Sequence, residues 1–408
     1  MEVDNKKNDE NIIPNDADKS QKGVNVPNLR FKEFNNLWTK FSLNSIVDRV
    51  TRKNLKNESN LPLTISAQYG LINQNEFFNK QIASRDLSNY ILIKKGEFAY
   101  NKSYSSEYPW GTVKRLNNYD KGVISSLYIC FSPKSIVNSD FLVHYFESSK
   151  WYNEISNIAG EGARNHGLLN MSVADYFQTT HRFPSSREQQ KIATFLDLID
   201  KRIDTQSKII EDLESKMEWI RNEIFKKNYK SFNHSLSDYL SEYTERNVNN
   251  FYTPVAVGKY GIRKREEIYS KELAADYSKN KVIRQNTLII GMGSTQIDIG
   301  ILLIDEIYCV SPAYTTYKIK NINASYLNEL LTFLNPLLSK KYMIISSRQG
   351  KSVNKDELLA HKIFVHTNEI QIKIAELFHF LYAKIKKEKD ILELYKKQKA
   401  YLLKNMFI

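Results

Sequence analysis

Two long stretches of the chain place apolar residues alternately three and four positions apart, which is the heptad pattern of a coiled-coil helix. The first stretch, residues 188–225, is echoed by residues 370–407. A single amphipathic helix usually covers the core of its own domain, but a sustained heptad pattern that occurs twice favours a coiled coil between the two helices. The predicted seam residues are Ile192, Leu196, Ile199, Ile203, Ile210, Leu213, Met217, Ile220 and Ile224 in the first helix, and Ile374, Phe378, Leu381, Ile385, Leu392, Tyr395, Leu402 and Met406 in the second.

Polar residues mark two further features of these helices. Pro184, followed by Ser185 and Glu188 at the spacing of a capping box, predicts where the first helix begins. Gln206 and Glu388 interrupt the seam at matching places, and we expect them to set the register of the helix pair. At 1.5 Å per residue, the first helix makes a rod of about 50 Å.

The rest of the chain also contains an internal repeat, with matching segments in the same order in both copies. The separation between matching segments shrinks in small steps along the chain, which is typical of a duplication followed by loop deletions. The matching pairs are SLNSIVDRVTRKN (42–54) with SLSDYLSEYTERN (235–247), YGL (69–71) with YGI (260–262), EFAY (97–100) with TLII (287–290), VISSLY (123–128) with CVSPAY (309–314), and NSDFL (138–142) with NASYL (323–327).

Each copy consists of a globular part followed by one long helix. Short runs such as YILIKKGEFAY and DIGILLIDEIYCV have strand composition, and helical patterns follow them. The second globular part connects the end of the first helix to the start of the second, and only an antiparallel pair brings these two points together. We therefore predict an α+β fold with two similar mixed α/β domains, separated by a long antiparallel two-helix coiled coil and related by a pseudo-twofold internal repeat. The predicted segments are a disordered polar tail (1–26), the first domain (27–183), the central helix (184–230), the second domain (231–365) and the C-terminal helix (366–408).

Composition indicates what kind of partner the domains bind. The formal net charge is +13, the pI is about 9.3, and 25 Tyr and 20 Phe are present, a mixture that suits a polyanion with exposed bases. The alternative is an ordinary solvated basic surface. Cys130 and Cys309 each lie in an apolar run, which predicts small buried hydrophobic residues in a reducing compartment. Residues 1–26 lack a signal peptide and no later run is apolar enough to span a membrane, so we expect a cytoplasmic protein.

The motifs of common enzymes are incomplete in this sequence. The segment GARNHGLL (162–169) has the two glycines of a P-loop but lacks the lysine that holds phosphates. GMGS (291–294) lacks the full dinucleotide fingerprint. HExxH, clustered Cys and His, and the amino-methyltransferase motif are absent from the sequence. We therefore predict a chain that is not an enzyme, with no catalytic residue and no metal site.

Three segments resemble the specificity subunits of type I restriction-modification systems. VPNLRFKEFNNLW (26–38) is similar to the entry into the first target-recognition domain of that family. FPSSREQQKIATFLDLIDKRID (183–204) is similar to the start of its central conserved helix, and GEGARNHGLLNMSVADYFQTTHRFP (160–184) to the joint that precedes this helix. The corresponding place in the second copy, HTNEIQIKIAEL (366–377), lacks the proline and the double glutamine. The resemblance covers nearly everything from residue 26 onwards.

The resemblance implies a function for each part. Each target-recognition domain would read one half of an asymmetric, bipartite target in double-stranded DNA, and the coiled coil would set the gap between the halves. Two modification (methyltransferase) subunits would dock on the spacer, and restriction subunits that translocate and cleave DNA would join them. S-adenosylmethionine, ATP and Mg are expected to bind to those partners, and this chain is expected to bind no cofactor. The alternative is a coiled-coil scaffold whose basic domains bind nucleic acid or acidic proteins without sequence specificity.

The predicted DNA-binding residues come from polar loops beside strand-like runs. Basic side chains would hold phosphates, and Arg, Lys, Asn and Gln would read base edges. For each of them, the alternative is an exposed polar residue without a function. They are Tyr69, Lys102, Tyr104, Lys114, Arg115, Arg164 and Asn165 in the first domain, and Tyr260, Arg263, Lys264, Arg265, Ser294, Gln296, Arg348, Gln349 and Lys351 in the second.

Overall fold

The chain divides into two compact units in a computed structural model. The structure describes residues 26–80, 82–160, 167–227, 232–258, 261–268, 276–346 and 350–408. Unit 1 contains the residues up to Gln206 together with Ile391–Ile408, and unit 2 contains Ser207–Asp390. Each unit thus holds one globular domain and one half of each long helix. The predicted tail, apart from Val26, lies outside the described residues.

Unit 1 is a mixed α/β structure with short elements. Its strands are β1 (Thr39–Ser42), β2 (Val47–Val50), β3 (Leu63–Ser66), β4 (Gly70–Asn73), β5 (Ile91–Lys94), β6 (Phe98–Asn101), β7 (Thr112–Arg115), β8 (Lys121–Ile124), β9 (Ile129–Pro133) and β10 (Thr180–Phe183). Its helices are α1 (Leu43–Ile46), α2 (Gln74–Phe78), α3 (Ser139–Glu147), α4 (Tyr152–Ile158), α5 (Val173–Gln178) and the first part of α6 (Ser186–Lys226).

Unit 2 repeats most of this order. Its strands are β11 (His234–Ser235), β12 (Leu240–Glu242), β13 (Val255–Gly258), β14 (Gly261–Lys264), β15 (Lys281–Ile283), β16 (Thr287–Met292), β17 (Ile297–Ile301), β18 (Tyr308–Val310), β19 (Thr315–Ile319), β20 (Met343–Ser346), β21 (Gly350–Val353) and β22 (Lys362–Ile363). Short 3-10 helices occur at Leu236–Tyr239 and Arg265–Glu267, and the α-helices are α7 (Ala324–Tyr342), α8 (Lys355–Leu359) and α9 (Asn368–Asn405), whose end belongs to unit 1.

The two domains share one sheet topology, which confirms the predicted repeat. A four-stranded antiparallel sheet has the order β2-β9-β6-β7 in unit 1 and β12-β19-β16-β17 in unit 2. Three two-stranded pairs also correspond: β3–β4 with β13–β14, β5–β8 with β15–β18, and β1–β10 with β11–β22. The pair β20–β21 has no counterpart among the described residues of unit 1. The predicted α+β class and two similar mixed α/β domains are therefore correct.

The strands form because their apolar residues are buried against a helix. In unit 1 the core is aromatic: Phe98 stacks on Phe131 at 5.3 Å between ring centroids, and Tyr100 stacks on Tyr176 at 4.7 Å. The corresponding strand β16 of unit 2 buries aliphatic residues instead. Cys130 is buried and free, as is Cys309 in unit 2, and burial raises the pKa of the Cys130 thiol to about 12. Both cysteines are thus the small buried residues that the sequence predicted.

Helices α6 and α9 pack together in an antiparallel pair, as predicted. In unit 1, Lys399 Nζ lies 2.6 Å from Asp200 Oδ1. Within unit 2, Glu214 meets Lys389, and the later α6 residue Arg221 meets the earlier α9 residue Tyr382. All of the predicted seam residues are buried or half-buried, Gln206 is buried and Glu388 is half-buried.

A buried glutamine ties each domain to a long helix in the same way. In unit 1, Gln189 Oε1 accepts the backbone N–H of Asn138 at 2.8 Å, and its Nε2 donates to the Pro184 carbonyl at 2.9 Å. Gln371 accepts from Asn323 N–H and donates to His366 O, both at 2.9 Å. Asn138 and Asn323 in turn cap α3 and α7 with their side chains. We call this arrangement the glutamine clamp.

The start of α6 differs from the capping box that the spacing predicted. Ser185 Oγ does face the Glu188 N–H, at 3.5 Å, but the buried Glu188 carboxylate pairs with Arg30 through two bonds of 2.7 Å and accepts from Trp38 Nε1. A long-range ion pair therefore replaces the local bond of the box. It attaches the segment before β1 to the beginning of the helix.

Removing the clamp in unit 1 tests its contribution. In Gln189→Ala, the half-buried Asn138 N–H and the buried Pro184 carbonyl lose their partner, at a cost of about 1–3 kcal/mol. We expect hydrogen exchange at the start of α3 to accelerate between roughly fivefold and 150-fold, because opening of this turn becomes easier by that amount. Arg187→Ala, an exposed residue on the same helical turn, is the control. Equal exchange in both variants would show that the clamp contributes nothing.

Buried His181 should make unit 1 sensitive to acid. Its Nδ1 accepts from the Tyr145 hydroxyl at 2.8 Å, and its Nε2 donates to Thr179 Oγ1, which itself donates to Tyr176 O. Burial lowers the pKa of His181 from 6.5 to about 4, since the charged ring is disfavoured.

The folded-state pKa lies below the unfolded one, so this stabilisation is complete above about pH 6.5 and is lost as the pH falls through 4. As the pH falls from 7.5 to 4, the unfolding free energy of the unmodified chain should therefore decrease. In His181→Gln we expect this decrease to be smaller by roughly 3 kcal/mol. Parallel pH dependences of the two proteins in chemical denaturation would contradict this.

Candidate nucleic-acid interface

The two domains differ most clearly at the end of the central strand pair. In unit 1, residues 102–111 connect β6 to β7, and in unit 2 only residues 293–296 connect β16 to β17. Strands β6 and β7 of unit 1 have the same places in their sheet as β16 and β17 have in the sheet of unit 2. One scaffold therefore carries two unlike loops at the same place. We call residues 102–111 the long loop and residues 293–296 the short turn.

The long loop is exposed but tightly held. Tyr100 donates its hydroxyl to the Trp110 carbonyl at 2.8 Å, and Gly111 N–H donates to Tyr108 O at 3.1 Å. Gly111 has φ +78°, and a Cβ there would lie 2.2 Å from the Asn101 carbonyl oxygen, so only glycine fits. The stretch Ser103–Glu107 is exposed. These polar side chains are thus displayed on a loop whose backbone is already ordered.

The predicted residues Lys102 and Tyr104 lie beside a second segment. Tyr104 N–H donates to Gly167 O, and Leu169 N–H donates to Lys102 O, both at 3.0 Å. This short bridge joins the long loop to the segment that follows Arg164 and Asn165 in the sequence. Arg164 and Asn165 themselves lie outside the described residues, so their assignment stays a prediction.

The short turn of unit 2 has an equivalent connection. Lys351 Nζ donates to the Ser294 carbonyl at 2.6 Å. Ile297 N–H, at the end of the turn, donates to the buried Ser339 hydroxyl at 2.8 Å, which anchors the turn to α7. Ser294 and Gln296 are exposed beside this anchor. Lys351 follows Arg348 and Gln349 in the sequence, and those two predicted residues lie outside the described part of the chain.

The hairpins β3–β4 and β13–β14 carry the remaining aromatic and basic candidates. Tyr69 lies at the tip of the first and is 61 % exposed. Tyr260 lies outside the described residues. On β14 and after it, Arg263 is exposed, and Lys264 and Arg265 are half-buried. Val257 and Ile262 of the second hairpin pack on Gly300 of β17, which places this hairpin on the strand that leaves the short turn.

Two predicted residues are engaged inside their own domain. Lys114 Nζ lies 3.6 Å from Glu147 Oε1, and Arg115 Nη1 lies 2.7 Å from Asp140 Oδ1 and donates to Ser139 Oγ. These contacts hold β7 against α3. DNA phosphates would have to compete with internal carboxylates for both cations, and their assignment as DNA contacts stays a prediction.

Only Lys102 and Tyr104 of the long loop are among the residues predicted from the sequence. Ser103, which lies between these two residues, is also exposed, as are Ser105 and Glu107, which follow Tyr104 in the loop. The sequence did contain a signal for this loop. The number of residues between matching segments of the two copies is smaller for VISSLY/CVSPAY than for EFAY/TLII. That change marks a loop that is shorter in the second copy.

Buried and half-buried charges lie where each domain meets the long helices. In unit 1, Lys399 Nζ lies 2.8 Å from Glu147 and 2.6 Å from Asp200, and buried His144 Nε2 lies 2.9 Å from Asp197 Oδ1. Burial alone would raise the pKa of Glu147, but the neighbouring His144, at 3.8 Å, and the charges of Lys399 and Lys114 hold this pKa far below its usual range. Among the described residues, only His144, Glu147 and Asp200 form a group with metal-ligand spacing. The Lys399 ammonium pairs with the carboxylates of both Glu147 and Asp200.

The corresponding place in unit 2 holds a different buried network. Arg221 donates to Glu329 Oε2 from Nε at 3.0 Å and from Nη2 at 2.8 Å. The Tyr382 hydroxyl accepts from Arg221 and donates to Glu329 Oε1, each at 3.2 Å. The charge of Glu329 raises the pKa of Arg221 against the opposing effect of burial. Both networks neutralise their charges internally, so their chemistry suits attachment of α3 and α7 to the long helices.

Within the described ranges, none of the helices has the length and apolar character that crossing a membrane requires.

Comparisons with known proteins agree with this architecture. No family model and no curated protein match the sequence. Among solved structures, a chain from work on complex assembly and conformational transition of the type I R-M system aligns with a TM-score of 0.54 and 14% identity, covering 90% of this chain and 96% of its own length. The S subunit of the type I restriction-modification system of M. genitalium aligns with a TM-score of 0.53 and 17% identity, covering 94% and 99%. Along nearly its whole length, the chain has the fold of a type I restriction-modification S subunit.

Proposed function

We propose that this chain is the DNA-recognition subunit of a type I restriction-modification complex. Each domain reads one half of a bipartite, asymmetric target in double-stranded DNA, and the pair of long helices sets the gap between the halves. The chain contributes sequence choice and no catalysis, and it acts in the cytoplasm. Two modification subunits dock on the long helices, and restriction subunits join through them.

The observation that carries this proposal is one scaffold with two unlike loops. Equivalent four-stranded sheets present the long loop in unit 1 and the short turn in unit 2. A duplicated enzyme would need the same side chains at both places, whereas a reader of two different half-sites needs different ones on one frame. The exposed side chains of Tyr104 and Gln296, with the half-buried Lys102 beside Tyr104, are suited to phosphate oxygens and base edges.

The net charge of +13 supports DNA as the ligand. Non-specific attraction to phosphates would bring the protein to DNA, and the loops would then discriminate between sequences. A scaffold that binds nucleic acid without specificity would share the charge. It would have no need of ordered, unlike loops at equivalent positions.

Exposed apolar residues on the long helices support docking of two identical partners. In the aligned repeat, Leu198 corresponds to Phe380 and Trp219 to Tyr401, and all four side chains are more than half exposed. Unit 1 contains Leu198 and Tyr401, and unit 2 contains Trp219 and Phe380. Each unit therefore presents one residue of each matched pair, one on α6 and one on α9. Exposed aromatic and aliphatic residues of this kind are typical of protein interfaces.

The reactions belong to the partner subunits in this proposal. Adenine methylation would use S-adenosylmethionine bound to the modification subunits, and translocation and cleavage would use ATP and Mg on the restriction subunits. The isolated chain should therefore not methylate DNA. Addition of the modification subunit should produce methylation at a defined sequence.

Single substitutions in the unlike loops should each alter one half of the target. We expect Tyr104→Ala to relax base preference in one half-site only and Gln296→Ala in the other only, since each loop belongs to a different domain. A lost base-edge contact typically costs about 1–3 kcal/mol of discrimination at its base pair. Sequencing of methylated DNA after reaction with the reconstituted methyltransferase measures this. Unchanged motifs in both variants, or changes in both halves from one variant, would contradict the assignment.

Charges placed on the apolar residues of one unit should remove one partner. The double variant Trp219→Glu and Phe380→Glu, both in unit 2, should form a complex with one modification subunit in place of two, because buried unpaired carboxylates oppose association. Native mass spectrometry gives the stoichiometry directly. Lys208→Glu, an exposed residue on the same stretch of α6, is the control and should keep two. Two bound partners in the double variant would place the docking surface elsewhere.

A further inference from the structure

The tip of the hairpin β3–β4 carries an exposed tyrosine beside a glycine, and the second domain repeats this pair in its sequence. Tyr69 precedes Gly70, and Tyr260 precedes Gly261. Gly70 has φ +78° and Gly261 has φ +82°, and each begins the returning strand of its hairpin. Tyr260 itself lies outside the described residues. The glycine that begins the returning strand thus has a left-handed backbone conformation in both hairpins, although three residues separate Ser66 from Gly70 and two separate Gly258 from Gly261.

Tyr69 is held in place but its hydroxyl is available. Its backbone N–H donates to Ser66 Oγ at 3.2 Å, and Ser66 pairs with Gly70 across the hairpin. The side chain is 61 % exposed, and within the described part of unit 1 it makes no side-chain hydrogen bond. A Cβ on Gly70 would meet no atom within 4 Å, so the space around this tip is open. The tip thus presents an ordered phenol to whatever approaches it.

A residue that occurs in both domains is suited to a part of the DNA that is the same in both half-sites. The half-sites differ in their bases, and the long loop and the short turn differ accordingly. Both half-sites have the same sugar-phosphate backbone, which carries no sequence information but fixes position and register. A tyrosine hydroxyl is a regular donor to phosphate oxygens in protein–DNA interfaces. It is also neutral, so such a contact releases no counterion.

We propose that Tyr69 is a positioning residue that donates to the DNA backbone independently of sequence, while the long loop of the same domain reads the bases. This division rests on the proposed function. It assigns different tasks to two tyrosines of one domain: Tyr69 at the hairpin tip and Tyr104 in the long loop. Both are exposed and lack a side-chain hydrogen bond in the described structure, which makes them a matched pair.

The experiment removes one hydroxyl at a time. Tyr69→Phe and Tyr104→Phe are each prepared in the full-length chain bound to its modification subunits. Fluorescence anisotropy then measures affinity for a duplex with the mapped target and for a scrambled duplex, over a series of KCl concentrations. Thermal unfolding of each complex checks that the conservative change leaves folding intact.

For Tyr69→Phe we expect affinity for both duplexes to fall by the same factor, about ten- to 150-fold, because a hydrogen bond to a charged oxygen is lost. The slope of log affinity against log salt should not change, whereas loss of a Lys or Arg contact would lower it by about one. For Tyr104→Phe we expect a loss on the target duplex alone.

Two results would overturn the division: an unchanged affinity in Tyr69→Phe, or a loss confined to the target duplex in that variant. Failure of the proposed function gives a separate result. The unmodified complex would then bind target and scrambled duplexes equally, before any substitution is considered.

Discussion

The structure depends on how each globular domain is fixed to the two long helices. In the proposed function each domain would read DNA at a defined distance from the other, and it would therefore have to be held against rotation on the long helices. An apolar contact alone is not directional. The glutamine clamp removes this freedom, because Gln189 and Gln371 each bind one backbone group of the domain and one at the entry to the helix. A buried hydrogen bond is directional, and breaking it leaves two polar groups unsatisfied.

Ion pairs that are half-buried in unit 1 and buried in unit 2 strengthen the same attachment with different residues. Unit 1 uses Lys399 with Glu147 and Asp200, and unit 2 uses Arg221 with Glu329 and Tyr382. A buried ion pair adds little net stability over an apolar contact, but removal of one partner is costly. Such networks therefore favour one arrangement of helix and domain over its neighbours. The clamp is common to both units, whereas the networks have diverged.

Much of the fold could be predicted from the sequence because its signals are periodic or repeated. The heptads predicted α6 and α9, and the duplication together with chain connectivity predicted their antiparallel pairing. Glu188 shows where local rules fail: its spacing matches a capping box, but its carboxylate binds Arg30, a residue far away in the sequence. Lys114 and Arg115 are similar, since their partners Glu147 and Asp140 approach only when α3 packs on β7. For the candidate interface, polar loops beside strand-like runs predicted Tyr69 and Tyr104, and their role stays a prediction. The order of the long loop follows from hydrogen bonds that no sequence pattern specifies.

The central claim is that one chain reads two separate half-sites at a fixed distance. Mapping every methylated position in DNA treated with the unmodified chain and its modification subunits tests it most directly. We expect one motif with two specified, unlike halves and a single gap length, with a methylated adenine in each half. A motif without an interruption, a variable gap, or methylation without any sequence preference would contradict the account.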